Sequence, residues 1–505
     1  MLNQDFITIK DFYDLLKGKI ELHLDDLTYQ KLQNSYKFLH SKIIEGTIYG
    51  LNSGFGALAD RKILLSNQKK LQINLIYHLA TGVGERFNDE ESLAILLARL
   101  ISLSKGYSGI STLAFKSLVT FFQKKIIAHI PSIGTVGASG DLTPLAHLTL
   151  SYLGKSKIYF EGKEYIYKTF FEKTKFPILK LKGRDALAIV NGTSTSTALA
   201  VLSFLLLEKA LQVSTFHSFV FSEIFELSSE FFNPLICKAK PHLGMKKISQ
   251  ELFQLCSTSK RISNQKIYES GKVQPPYSLR AVVQVLGSIV DFASYYKKII
   301  EKELNSVSDN PLFFEKENTI LHGANFYGSH IATACDGIKN LCFELANLIE
   351  RRIAKITDEK MNGNLPAFLS GGQVGLDSGL MGAQVTASAL LAEIRSLSVP
   401  CAILSIPTNA NNQDIVPMAT TSARTTKKTL ELCLYLVSIE AVCISQAVSI
   451  IGVNQFSKKT QEYISFIQKH CKFIKSDRPL STEIEKLKNY FLSDELTLLE
   501  LEFFD

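Results

Sequence analysis

Apolar residues recur at positions i, i+3 and i+4 through most of this chain, the spacing that lines one face of an α-helix. The pattern runs through 88–104, 110–128, 195–225, 279–304, 329–355, 380–397 and 421–451. Several of these segments exceed about 25 residues, beyond the usual globular helix, and predict a long central bundle. Strict alternation is scarce; KIYFEGKEYIY at 157–167 predicts a small hairpin. Gly and Asn mark 182–195 and 360–378 as loops. The expected fold class is mostly α, with a long central helical bundle.

Composition fits that picture. Hydrophobic residues make up 46% of the 505 and charged residues 21%, ample for a large core. Length alone suggests about three domains at ~150 residues each, yet no linker, low-complexity tract or fixed-period repeat divides the chain. The longest apolar stretch, ALAVLSFLLL at 198–207, is too short to span a bilayer and reads as a buried helix. The start, MLNQDFITIKDF, lacks the basic opening and apolar core of a secretory signal. The net charge of +8 is spread along the chain, and pairs such as Lys124-Lys125 and Lys427-Lys428 flank apolar helical runs. They read as solvated helix faces, so neither a nucleic acid nor a membrane is expected as partner. The eight cysteines include no C-x-x-C pair, which argues for buried reduced thiols in a cytoplasmic protein and against disulfides or zinc.

The chemistry concentrates at Gly137-Ala138-Ser139-Gly140-Asp141. Small residues in this order can cyclise: the Gly140 nitrogen attacks the Ala138 carbonyl carbon, and loss of two waters, one carrying the Ser139 hydroxyl, leaves 4-methylidene-imidazol-5-one. Gly140 has no Cβ to obstruct the approach. Ala138 crowds the attacked carbonyl little, and Ser139 supplies the departing oxygen and the electrophilic carbon. Asp141 and Thr143 are N-cap types and Pro144 suits a first helical turn, so a helix is expected to begin there. Its N-terminus would place a partial positive charge beside an electrophile that must accept electrons.

With these flanks the segment resembles the signature of the aromatic amino acid ammonia-lyase and aminomutase family, which includes histidine, phenylalanine and tyrosine ammonia-lyases. Further blocks resemble that family in order: YGLNSGFG at 49–56, LQINLIYHLATGVGE at 71–85, LAIVNGTS at 187–194, VQPPYSLRAVVQVLG at 273–287, NSVSDNPL at 305–312, GANFYG at 323–328, ERRIAKITD at 350–358, GLDSGLMGAQVTASAL at 375–390 and SIPTNANNQDIVPMAT at 405–420. The resemblance implies an N-terminal domain over 1–195, with a lid loop and the Ala-Ser-Gly electrophile. A long-helix bundle and C-terminal helical region would occupy 196–505. It also implies a homotetramer whose active sites are shared between chains, an amino acid substrate and no external cofactor.

Roles follow by motif position. Tyr49, in the lid-like loop, and Tyr277 are the implied proton carriers; a tyrosine, with an unperturbed pKa near ~10, needs a cation or helix dipole nearby to act as a base. Arg280 lies three residues after Tyr277, one helical turn on, and is the implied clamp on the substrate carboxylate. Asn191, Gln274, Asn325 and Phe326 fill the remaining implied positions around the substrate.

Two positions carry substrate information. His78-Leu79 resembles the tyrosine lyases, since an imidazole can hydrogen-bond a phenolic hydroxyl; phenylalanine lyases tend to have Phe first, and histidine lyases Ser then His. Gln413 stands where histidine lyases carry Glu, and Ile415 where they carry a polar residue. Both point to L-tyrosine, giving p-coumarate and ammonia. The alternatives are a tyrosine 2,3-aminomutase, a histidine ammonia-lyase forming urocanate, a phenylalanine ammonia-lyase, and an inactive helical scaffold. Pro275, Asp377 and Tyr327 depart from the family pattern and should alter pocket polarity.

Overall fold

Where apolar residues recur with helical spacing, the chain is helical. The structure, a computed structural model, describes residues 6–43, 46–264, 274–493 and 503–504. The helices that bear on function are labelled in chain order: α1 (Gln68–Leu79), α2 (Asp89–Ser104), α3 (Thr112–Gln123), α4 (Leu142–Tyr152), α5 (Ser194–Ile224), α6 (Val282–Leu304), α7 (Ser329–Thr357), α8 (Met381–Leu397), α9 (Ala419–Ile451) and α10 (Lys458–His470). The chain is mostly helical, as the periodicity predicts.

Three local differences have physical causes. The segment expected to be helical to 128 ends as α3 at Gln123, because Ile127 and Ala128 pair as a strand with Tyr159 and Ile158. That pairing extends the expected hairpin, Ile158–Phe160 with Lys163–Tyr165, to three strands. The expected loop at 182–195 contains a short helix, Asp185–Val190, whose six residues are all buried. The stretch 198–207 is part of the 31-residue α5, which with the 33-residue α9 is long and apolar enough to cross a membrane. Burial decides against that: 72% and 78% of their most apolar windows lie inside the protein, so both are core helices.

By contacts the chain forms two compact units. The first comprises Met1–Ser203, Lys297–Asp336 and Pro400–Thr425. The second comprises Phe204–Tyr296, Gly337–Val399 and Thr426–Asp505. In the first, α2 is buried along nearly its whole length, from Ser92 to Ser104. Asn88 and Glu91 close a capping box at its start.

The second unit holds a buried ionic network whose charged members have no solvent exposure. The Arg352 guanidinium donates to Glu440 from Nε at 2.7 Å and Nη2 at 2.9 Å, and to the hydroxyls of Ser218 and Ser214 at 2.6 and 2.8 Å. His217 Nδ1 donates to Glu440 at 2.7 Å, and its Nε2 meets the Tyr463 hydroxyl at 2.5 Å. A carboxylate only accepts, so the proton sits on Nδ1 and Nε2 accepts from tyrosine. Burial pushes the His217 pKa down, which keeps the ring neutral. Residues from α5, α7, α9 and α10 are thereby tied at one point with their charges matched.

Candidate active site

The segment 137–140 folds back on itself. Backbone bridges join Gly137 and Ala138 to Gly140, and Gly140 in turn pairs with Gly192. Gly140 has φ +73°, and a Cβ there would lie 2.4 Å from the Gly192 carbonyl oxygen. No other residue type fits both the backbone angle and the space. Ala138 and Gly140 are buried while Ser139 is half-buried, so the serine side chain is the reachable part of the loop.

Four helices begin around this loop, all at residues of the first unit. The helix α4 starts directly after Asp141. Asp141 N–H donates to Gly192 O at 2.7 Å, two residues before α5. Met418 N–H donates to Val136 O at 2.8 Å just before α9, and Gly328 N–H to Gly137 O at 3.3 Å just before α7. Helix N-termini carry partial positive charge, so four of them make the loop a favourable place for electrons to accumulate.

Asp141 departs from its expected role. It occupies the N-cap position of α4, but its carboxylate does not cap that helix. Instead it accepts from Ser196 N–H at 2.7 Å, from Ser196 Oγ at 3.0 Å and from the Thr420 hydroxyl. It therefore caps α5 and holds the start of α9. Complete burial pushes its pKa up, with those hydrogen bonds working the other way.

The Ser139 backbone and side chain each have a dedicated amide. Asn191 Oδ1 accepts from Asn310 N–H at 3.0 Å, which turns Nδ2 toward Ser139 O, also at 3.0 Å. Asn310 is itself anchored by fully buried Arg184, which reaches Asn310 O at 2.5 Å and grips Asp309 bidentately at 2.8 and 2.9 Å. On the other side, Gln413 Nε2 donates to Ser139 Oγ at 2.7 Å, and Thr408 Oγ1 donates to Gln413 Oε1 at 2.7 Å.

A cavity of about 590 Å³ opens over the loop, and it lies wholly within the first unit. Of the residues singled out from sequence, it brings together Tyr49, His78, Leu79, Ala138, Ser139, Gly140, Asn191, Phe326 and Gln413. Tyr49 OH accepts from Gly56 N–H at 2.9 Å, and its ring meets Phe55 edge-on at 6.1 Å. His78 Nδ1 lies 3.0 Å from the Asn74 carbonyl, so Nδ1 carries a proton, and in the neutral ring Nε2 is an acceptor.

Four of the sequence candidates do not line this cavity. Asn325 is exposed beside Phe326. Gln274, Tyr277 and Arg280 belong to the second unit. Tyr277 is 70% exposed, and the Arg280 guanidinium stacks over its ring at 4.5 Å, as one-turn spacing predicts. The Arg280 Nε is buried with no partner among the described residues.

Two wall residues escaped the sequence reading. Phe55 lies inside YGLNSGFG and lines the cavity between Tyr49 and His78. Thr408 lies five residues before Gln413, and Asn409, Asn411 and Asn412 between them are turn formers that tolerate positive φ. That composition was the available signal that 408 and 413 meet.

Comparison with known proteins adds to this geometry. The description "Aromatic amino acid lyase" fits residues 7–469. A tyrosine ammonia-lyase of Cereibacter sphaeroides is 36% identical over 466 residues, 88% of this chain and 88% of the relative. A histidine ammonia-lyase of Treponema denticola is 33% identical over 490 residues, 97% of this chain and 96% of the relative. A solved tyrosine aminomutase from Streptomyces globisporus matches with TM-score 0.91 at 29% identity, covering 97% of this chain and 96% of that one. These relatives differ in substrate and in reaction outcome.

Proposed function

The chain belongs to the aromatic amino acid lyase family and is an aromatic amino acid ammonia-lyase, a carbon–nitrogen lyase; from that premise we propose that it deaminates L-tyrosine to p-coumarate and ammonia. The observation that carries the substrate is the hydrogen-bonding state of His78. With Nδ1 committed to Asn74, Nε2 of the neutral ring is an acceptor on the cavity wall, suited to a phenolic O–H. A site that pairs a substrate hydroxyl discriminates strongly against a ligand lacking it. Gln413 supports the same reading, because its amide oxygen is taken by Thr408 and no carboxylate stands there for a substrate imidazole.

The family uses 4-methylidene-imidazol-5-one, and Ala138-Ser139-Gly140 fits its formation. The backbone of Gly140 is held at positive φ against Ala138, with no space for a side chain. Once formed, the group would supply an electrophilic carbon derived from Ser139 Cβ. Asn191 Nδ2 donates to the Ser139 carbonyl oxygen, the one conjugated with that carbon, and so favours electron flow toward it. The helix N-termini around the loop act in the same sense.

Tyr49 is the proton carrier on the cavity wall in this reading, with the Gly56 N–H positioned to stabilise its oxygen when deprotonated. Arg280 clamps the substrate carboxylate and Tyr277 assists in proton transfer. The two act in an assembly of four copies whose active sites are shared between chains, as the family resemblance implies.

The test is incubation with L-tyrosine, L-phenylalanine and L-histidine separately, following product absorbance and analysing for β-amino acids. The expected result is the highest kcat/KM with tyrosine and p-coumarate as product. Urocanate formed from histidine at a higher kcat/KM would overturn the substrate assignment. Accumulation of β-tyrosine would replace the lyase outcome with the aminomutase one.

A further inference from the structure

Gln413 does something its place in the substrate cavity does not require. Its Nε2 donates to Ser139 Oγ at 2.7 Å, the oxygen that must depart when the ring forms. A bond to that oxygen is useful only before it leaves. Both side chains are half-buried on the cavity wall.

The amide is held in this orientation from behind. The Thr408 hydroxyl donates to Gln413 Oε1 at 2.7 Å, which turns the NH2 end toward Ser139. The backbones of the two residues bond in both directions, Thr408 N–H to Gln413 O at 2.9 Å and Gln413 N–H to Thr408 O at 3.3 Å. The turn between them is unusual. Asn409, Ala410 and Asn411 have φ of +54°, +52° and +60°, three successive non-glycine residues in the left-handed region. Asparagine tolerates that region; alanine has no polar side chain to ease it. Strain of this kind persists where surrounding structure over-determines it and clusters at functional sites. Here the strained turn brings Thr408 and Gln413 side by side.

We propose that Gln413 is a catalytic residue of ring maturation, donating to the Ser139 hydroxyl oxygen as it leaves, and that Thr408 is the positioning residue that aims it. This rests on the reading above that Ala138-Ser139-Gly140 cyclises. In the first water loss the Gly140 N to Ala138 C bond forms. The Ala138 carbonyl oxygen departs with the protons of the Gly140 and Ser139 nitrogens. In the second, solvent water takes the Ser139 Cα proton, that electron pair becomes the Cα=Cβ bond, and the Cβ–Oγ pair leaves with oxygen. The hydroxide and the proton make the second water, so no oxidant or reductant is needed. The Gln413 N–H lies at the atom where negative charge develops, as an oxyanion-hole donor does. Once that oxygen is gone, the same NH2 faces the cavity and is available to substrate, so one residue serves in sequence.

The experiment follows the intact mass of the full chain from the start of a short induction. It compares wild type with Gln413→Leu, Thr408→Val and Thr408→Ser, with thermal unfolding as the folding control. Wild type should lose two waters, about 36 Da. Gln413→Leu should slow the loss of the Ser139 hydroxyl by about 100-fold or more. Thr408→Val, matched in shape but lacking the hydroxyl, should slow it about tenfold, while Thr408→Ser should keep the wild-type rate. Equal rates for wild type, Gln413→Leu and Thr408→Val overturn the proposal. If Gln413→Leu does not fold, the contrast between Thr408→Val and Thr408→Ser decides alone. A wild-type chain that never loses mass removes the function proposed above, whereas matured wild type with equally matured variants removes only this inference.

Discussion

The amide of Gly82 donates a hydrogen bond to His147 Nε2 at 3.0 Å, joining the helix that follows Ala138-Ser139-Gly140 to the end of the helix that carries His78 and Leu79. His147 stands on α4, and Gly82 follows α1, whose last two residues are His78 and Leu79. Since a backbone amide only donates, Nε2 must be unprotonated. The remaining proton sits on Nδ1, which is buried with no partner among the described residues. Burial pushes the His147 pKa down to about 4. The neutral ring is therefore a requirement of the contact between α4 and the residue three positions after α1.

Replacing His147 with phenylalanine should leave the Gly82 amide without its acceptor, at a cost of about 1–3 kcal/mol. It should also lower kcat/KM by loosening His78. His147→Gln, which keeps an acceptor, should recover most of both. The pH dependence has a definite sign. The folded value of about 4 lies below the ordinary histidine value of 6.5, so between them the unfolded chain binds more protons. The stability contributed by the neutral ring is complete above about 6.5 and is lost as pH falls toward 4. The wild-type unfolding midpoint should drop across that interval more steeply than that of His147→Gln.

His78→Phe removes the imidazole from the cavity wall while keeping an aromatic ring near Phe55. The ratio of kcat/KM for tyrosine over phenylalanine should fall at least about tenfold, the worth of one hydrogen bond to a substrate group. An unchanged ratio would detach His78 from selectivity.

Arg280→Met should act on binding. Loss of a charge-assisted clamp on a carboxylate should raise KM by about 10- to 100-fold with a smaller change in kcat. An unaltered KM would return Arg280 to a purely structural role stacked on Tyr277.

Gly140→Ala tests the geometry of cyclisation rather than its leaving group. The added Cβ would meet the Gly192 carbonyl at 2.4 Å on a backbone at φ +73°. The variant should retain both waters in its intact mass and show no turnover with any of the three amino acids. A normal mass deficit would mean that the loop closes without the constraint seen here.

The limits of the sequence reading follow from what local patterns encode. The helices were legible because burial of one face repeats every turn, and α2, α5, α7 and α9 fall within two residues of the segments read from periodicity. The end of α3 was not, because Ile127 and Ala128 answer to Tyr159 and Ile158, about thirty residues away. Asp141 was legible as a helix-start residue but not as the cap of a different helix, since Ser196 and Thr420 are remote in sequence. At the site, motif resemblance found the residues that touch Ser139, Asn191 and Gln413. It missed Thr408, whose contribution depends on a turn of three left-handed residues that no periodicity announces.

Stability should hinge on the buried network of the second unit. Glu440 is the only carboxylate among its named members and accepts from both Arg352 and His217, all at zero exposure. Glu440→Leu keeps apolar volume but leaves the Arg352 guanidinium, among the described residues, with the Ser214 and Ser218 hydroxyls as its remaining hydrogen-bond partners. Breaking one side of a buried pair typically costs about 3–5 kcal/mol, because the remaining charge stays desolvated. The double variant Glu440→Leu with Arg352→Met removes both charges and should recover much of that loss. The ordering expected from thermal unfolding is wild type and double variant well above Glu440→Leu alone. A single variant as stable as wild type would mean that solvent reaches Arg352 and that the network is not closed.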